Sequence, residues 1–229
     1  MQRANRTANA IPARPVGRGS ALKQLFSRIS ETAKLGTGAR QLVQLTQRPG
    51  DLETVQELIQ SDPAVAAQIL RRVNSPYYHL DAEVHDLTSA AHLLGVQELS
   101  NVAFTIYLSR MFSTPMTFGT FSVSGLWAHS VAVAATAQLI ARVCGQAVPK
   151  EAFLAGLLHD IGLLLCSKQM RRRFMDVVER AADQNSPTHY VEHSIYSFDH
   201  AQLGGYVVRD WGFSETIRDA VAHHHDVEG

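Results

Sequence analysis

Leu157-Leu158-His159-Asp160-Ile161-Gly162 decides the reading of this chain. A histidine and an aspartate stand side by side after an apolar run. That places two good metal ligands at the inner end of a buried helix. Burying an ionisable pair in such company costs several kcal/mol unless a metal or a tight hydrogen-bond network compensates. The residues alone leave both readings open, and the function turns on which one holds.

Working outward, the chain holds 11 histidines, most of them after residue 128. His129 lies in the apolar stretch Leu126-Trp127-Ala128-His129-Ser130, where a lone histidine reads as a core residue bonded to a carbonyl. With His159 and Asp160 it makes three ligand-type residues on two helices expected to pack together, a reasonable metal nucleus. His200 opens a helix behind the candidate cap Asp199. His223, His224 and His225 end the last helix, where imidazoles also suit the helix dipole. A hard divalent ion such as manganese or iron accepts mixed His/carboxylate ligation with open water positions, and would activate water against a phosphodiester. Such chemistry needs a closing carboxylate. Asp226 stands beside the histidines, whereas Asp210 and Asp219 read as surface helix positions. Cys144 and Cys166 lack a catalytic context. No Gly-x-Ser-x-Gly elbow or phosphate-binding glycine loop is present.

Composition bounds the class. The 229 residues are 45% hydrophobic and 18% charged, values of a folded domain with ample core. No apolar run is expected to reach the roughly 20 residues that cross a bilayer. The first residues do not read as a signal peptide. Two cysteines imply no disulfide framework and point to a reducing cytoplasm. The zero net charge hides an asymmetry: residues 1–50 carry nine Lys/Arg against Glu31 alone, and the remainder is equally acidic. This basic stretch lacks interleaved aromatics, so it reads as a solvated leader rather than a nucleic-acid surface.

The pattern predicts an all-α fold. Residues 1–20 show no periodicity and read as a flexible basic arm. Asp51 is expected to cap a helix over 52–60. Asp62-Pro63 gives a cap followed by proline at the first helical position, opening a helix to Val73 that Asn74-Ser75-Pro76 stops. Thr88 is expected to cap a short helix ending at Gly95, followed by one from Glu98 to Met111. Gly125 to Cys144 is apolar around its circumference and is assigned to the centre of a bundle. Further helices are expected from Pro149 to the His-Asp pair, over 170–182 with its solvated arginines, over 200–211 and over 214–224. A loop near 112–123 divides the chain into a helical lobe over 21–112 and a second over 113–229.

Several blocks, in this order, resemble the HDOD family, the output branch of the HD superfamily. They are Ser61-Asp62-Pro63-Ala64-Val65-Ala66 through Asn74-Ser75, Leu87 to Gly95, Leu126 to Ser130, Glu151 to Gly162, and His200 to Gly204 with Trp211-Gly212 and the terminal histidines. The resemblance covers about residues 36–226. It implies a two-lobed helical bundle with an HD-like C-terminal lobe, acting as a bacterial regulatory module without established catalysis. The implied partners are response-regulator or cyclic-di-GMP signalling proteins. The superfamily's His, then His-Asp, metal ligands fall on His129, His159 and Asp160. Those of the related HD-GYP phosphodiesterases fall on His200, His224 and His225. Departures exist. Leu163 stands where active relatives carry lysine, and no Gly-Tyr-Pro segment follows the terminal histidines. A metal-dependent phosphohydrolase, acting on a cyclic nucleotide or cyclic dinucleotide, is therefore the alternative to a regulatory module whose histidine cluster is a structural or vestigial metal site.

Overall fold

A computed structural model describes residues 18–46, 52–76, 80, 82–145 and 147–226. Most of the basic arm and the expected cap Asp51 lie outside them. The fold is all-helical. In chain order it runs α1 (Arg18–Thr32), α2 (Thr37–Thr46), α3 (Leu52–Gln60), α4 (Pro63–Val73) and α5 (Leu87–Ser109), then a 3-10 turn at Arg110–Phe112. After a small hairpin, β1 (Thr117–Phe118) and β2 (Phe121–Ser122), come α6 (Val123–Cys144), α7 (Pro149–Leu158), α8 (Ile161–Gln169) and α9 (Arg171–Asp183). The chain ends with α10 (Thr188–Tyr196), α11 (His200–Asp210) and α12 (Glu215–Ala222). The antiparallel hairpin pairs Thr117 with Ser122 and Phe118 with Phe121.

Local chemistry sets many of these boundaries. The Asp62 carboxylate accepts from the Val65 amide and Pro63 opens α4. Asp86, not Thr88, caps α5 by accepting from the Ser89 amide at 2.8 Å. Gly95 at φ 74° kinks α5 into the two helical stretches the sequence suggests. Ser122 caps α6, and Asp199 caps α11 by accepting from Gln202 at 2.8 Å.

The core runs continuously from α1 to α12. Val65, Ile69 and Val73 of α4 are buried, as are Leu154, Leu157 and Leu158 of α7. α2, α3 and α4 pack on α5, and α5 touches α7. α1 lies against α11: Phe26 meets Phe198 edge-on at 4.9 Å, and the Trp211 indole donates to the Ala33 carbonyl at 3.1 Å.

α6 departs from the sequence expectation. It is not central. Val123, Leu126, Ser130, Ala134 and Ala141 are buried, but Leu139, Ile140 and Val143 are exposed at 61%, 55% and 78%. Its 22 residues, holding an 18-residue stretch of mean hydropathy 1.3, are also long and apolar enough to cross a bilayer by length and composition, contrary to the expectation that no run comes close. What fixes α6 is α7. A Cβ on Gly156 would lie 2.9 Å from the Ala134 α-carbon, so glycine lets the two backbones touch and brings His129 beside His159.

Candidate metal centre

Five helices deliver the site. His159 closes α7 and Asp160 begins α8, so the tight corner between them turns both side chains toward the interior. Gly162 makes the corner possible: a Cβ there would stand 2.0 Å from the His200 carbonyl oxygen. Absence of that one carbon lets α8 sit on the start of α11 and holds His200 against Asp160. His129 comes from α6. His224 and His225 come from the turn after α12.

The six residues singled out from sequence converge. Asp160 is 8% exposed. Its Oδ2 lies 3.2 Å from His159 Nε2 and 3.6 Å from His129 Nε2. Its Oδ1 lies 3.2 Å from His200 Nε2 and 3.6 Å from His224 Nε2. His129 and His159 face each other Nε2 to Nε2 at 3.2 Å, and His225 and His200 do so at 2.9 Å. Two groups result, His129-His159-Asp160 and His200-His224-His225, in each of which the candidate ligand atoms lie within 4.8 Å of one another. One carboxylate faces both.

The far side of each ring fixes its chemistry. His159 Nδ1 contacts the Gly156 carbonyl at 2.8 Å, and His224 Nδ1 the Val221 carbonyl at 2.9 Å. His200 Nδ1 contacts Glu192 Oε2 at 2.5 Å. Carbonyl and carboxylate oxygens only accept, so each Nδ1 carries the hydrogen. In the neutral ring each Nε2 is then a bare lone pair aimed at a carboxylate. Lone pairs converging on an anion repel unless protons or a cation lie among them. His224 Nε2 is buried with no hydrogen-bond partner among the described residues. The donor set therefore fits a divalent ion of the imidazole- and carboxylate-binding kind.

Protonation shows the same demand for positive charge. Burial alone would raise the Asp160 carboxyl, but the His159, His200 and His224 imidazoles that face it outweigh burial and hold the group far below the usual carboxylate range. Burial pulls His200 down, yet Asp160 and Glu192 outweigh it and push it up to about 10. His159 is raised for the same reason, Asp160 overcoming burial. Burial and the neighbouring His224 and His200 pull His225 down to about 4.

The residue sequence reasoning missed is Glu192. It is 0% exposed, and its Oε2 accepts from both Nδ1 and the backbone amide of His200, the latter at 2.9 Å. His189 was also missed; it stacks on His225 with ring centroids 4.1 Å apart. The clue was a second histidine-rich helix carrying an acid, His189 to His193. Asp226, the candidate closing carboxylate, is turned away: its Oδ2 meets exposed His223 Nδ1 at 2.8 Å, an i, i+3 contact. Leu163 packs against the core and brings no charge.

Comparison with known proteins agrees with this architecture. The family model for the HDOD domain matches residues 34–227. The structure is similar to an HDOD domain protein of unknown function from Geobacter sulfurreducens, with 25% identity and a TM-score of 0.77 over 91% of this chain and 72% of that one. A chain from Shewanella amazonensis SB2B, provisionally named a phosphohydrolase, shares the fold at 24% identity and a TM-score of 0.73, covering 87% of this chain and 70% of that one. An uncharacterised protein of Treponema pallidum (strain Nichols) is 21% identical over 205 residues, 89% of this chain. The chain spans 39% of that curated relative's length. With helices α2 to α12 inside the matched segment, the chain belongs to the HDOD family.

Proposed function

We propose that this protein is a signalling output module whose C-terminal helices hold a divalent metal, iron or manganese, and which acts by binding other signalling proteins. The observation that carries the metal is the set of Nε2 lone pairs converging on Asp160 with their Nδ1 hydrogens engaged behind them. His129, His159 and Asp160 would hold one ion. His200, His224 and His225, with the other oxygen of Asp160, would hold a second. The regulatory role follows from family membership and from what the centre lacks. Among the described residues no further carboxylate faces the imidazole groups from the substrate side: Asp226 is engaged by His223, and Glu192 stands behind His200. The partners fitting such a module are response-regulator or cyclic-di-GMP pathway proteins, in a reducing cytoplasm where an exposed, unpaired Cys144 is tolerated. We read residues 21–112 and 113–229 as its two lobes and residues 1–20 as a basic arm.

One observation favours a second reading, a metal-dependent phosphohydrolase. The two oxygens of Asp160 face two separate histidine groups, as a carboxylate bridging two ions would, and the His129 side chain is 55% exposed. A bound pair of divalent ions would polarise a phosphoryl group and lower the pKa of water. The test combines metal analysis of protein purified without a histidine tag with hydrolysis assays on cyclic di-GMP and a generic phosphodiester in added manganese. Bound metal without turnover supports the module. Turnover abolished by Asp160→Ala supports the enzyme. Protein that takes up no metal contradicts both.

A further inference from the structure

Away from the histidines, the chain turns from α1 into α2 at a cavity of about 420 Å³. Leu35, Leu58 and Met111 form its apolar side, and Tyr107, Asp62 and Arg110 its polar side. The first amide of this turn to meet a carbonyl is that of Arg40, on Gly36 at 3.0 Å. The amides of Thr37, Gly38 and Ala39 have no acceptor among the described residues. They are the open donors that any helix start presents, at the positive end of a ten-residue helix.

A second feature points at the same place. Tyr107, on α5, is 8% exposed, and its hydroxyl has no hydrogen-bond partner among the described residues. That hydroxyl lies over Gly38, where an added Cβ would come within 2.5 Å of it. The Tyr107 ring is buried while its hydroxyl opens into the cavity, free to donate to whatever occupies it. Burial, with the charge of Asp62, holds the phenol above its ordinary pKa, so at neutral pH it is a donor. Arg110 stands over the Tyr107 ring at 5.0 Å and grips Asp62 through two hydrogen bonds of 2.8 and 3.2 Å, which neutralises the one acid on the wall. Three amides and a hydroxyl, all donors, thus share one cavity mouth. A phosphate monoester offers three terminal oxygens to four donors, where a carboxylate offers two.

We propose that this cavity binds a phosphorylated small molecule, its phosphate on the first turn of α2 with Tyr107 donating to it, and its body against Leu35, Leu58 and Met111. None of these residues belongs to the histidine centre, so the site stands whether or not that centre holds metal. The test is residue-resolved amide NMR of the full chain, titrated separately with inorganic phosphate, adenosine monophosphate and acetate. Saturable shifts of the Thr37, Gly38 and Ala39 amides are expected with both phosphates, at lower concentration for the nucleotide. Tyr107→Phe, which removes one oxygen, should weaken binding about tenfold. Asp62→Asn, which keeps a capping oxygen for α4 and frees Arg110, should tighten it and decides the matter if the tyrosine variant does not fold. Absence of shifts at those amides overturns the proposal, as does unchanged affinity in folded Tyr107→Phe. An equal response to acetate overturns the phosphate assignment, and a nucleotide no tighter than inorganic phosphate overturns the apolar seat.

Discussion

Replacing Glu192 by glutamine tests the centre through a residue that touches no ion. Glu192 is fully buried and bonds His200 twice through one oxygen, at 2.5 Å to Nδ1 and 2.9 Å to the amide. Its charge makes His200 a stronger base and locks the tautomer that leaves Nε2 open toward Asp160. Glutamine keeps the shape and one accepting oxygen but removes the charge. Charge-assisted bonds are roughly twice as strong as neutral ones, so both contacts to His200 weaken. Carboxylates behind ligating histidines typically change metal affinity about 10- to 100-fold, which is about 1.4–2.8 kcal/mol of binding free energy. The opposing effect, relief of a buried charge, acts on folding in the metal-free state and not on the ion. Glu192→Gln should therefore fold, with a melting temperature in chelator close to wild type, and bind manganese or zinc about 10- to 100-fold more weakly in a competition titration against a chromophoric chelator. Wild-type affinity in the folded variant would refute the reasoning, because His200 would then need no carboxylate behind it.

Four further outcomes follow from the same geometry. Gly162→Ala forces a carbon to 2.0 Å from the His200 carbonyl, so α8 and α11 must separate; we expect a loss of roughly 3 kcal/mol or more in denaturant unfolding together with loss of metal uptake. Metal uptake should release protons. His200 is held at about 10 when protons neutralise the centre, so binding enthalpies at pH 8 should differ between buffers of different ionisation heat, and affinity should fall as pH falls. By the same sign, a folded-state pKa raised above the unfolded value of about 6.5 stabilises the metal-free protein fully below that value. That stability is lost toward pH 10, and melting scans in chelator will show it. Asp226→Asn should leave metal affinity unchanged, because its carboxylate is engaged by exposed His223; a large drop would return Asp226 to the centre.

The parts of the fold that were legible in the sequence rest on short-range chemistry. Asp62-Pro63 announces α4 because cap and proline act within one turn. His159-Asp160 announces the centre because an ionisable pair inside an apolar run is itself anomalous. α6 was misread for a physical reason: hydrophobicity says what a helix is able to bury, not which neighbours cover it, and α7 covers only one stripe of it. Thr88 was misassigned as a cap because Asp86, two residues earlier, presents the same chemistry. Glu192 was illegible because its role arises only after Ser197, at φ 68°, turns the chain so that α10 lies beside the start of α11. Asp226 misled in the opposite way. Nearness in sequence to the terminal histidines put it in the site, but the i, i+3 geometry gives it to His223.

The measurement that bears most directly on the account is anomalous diffraction from crystals of untagged protein grown with manganese or iron. The account predicts an anomalous peak beside Asp160, with His159 Nε2 and His200 Nε2 drawn to bonding distances of roughly 2.0–2.3 Å. Crystals grown at saturating metal that show no such peak, with Asp160 paired only to protonated imidazoles, would contradict it.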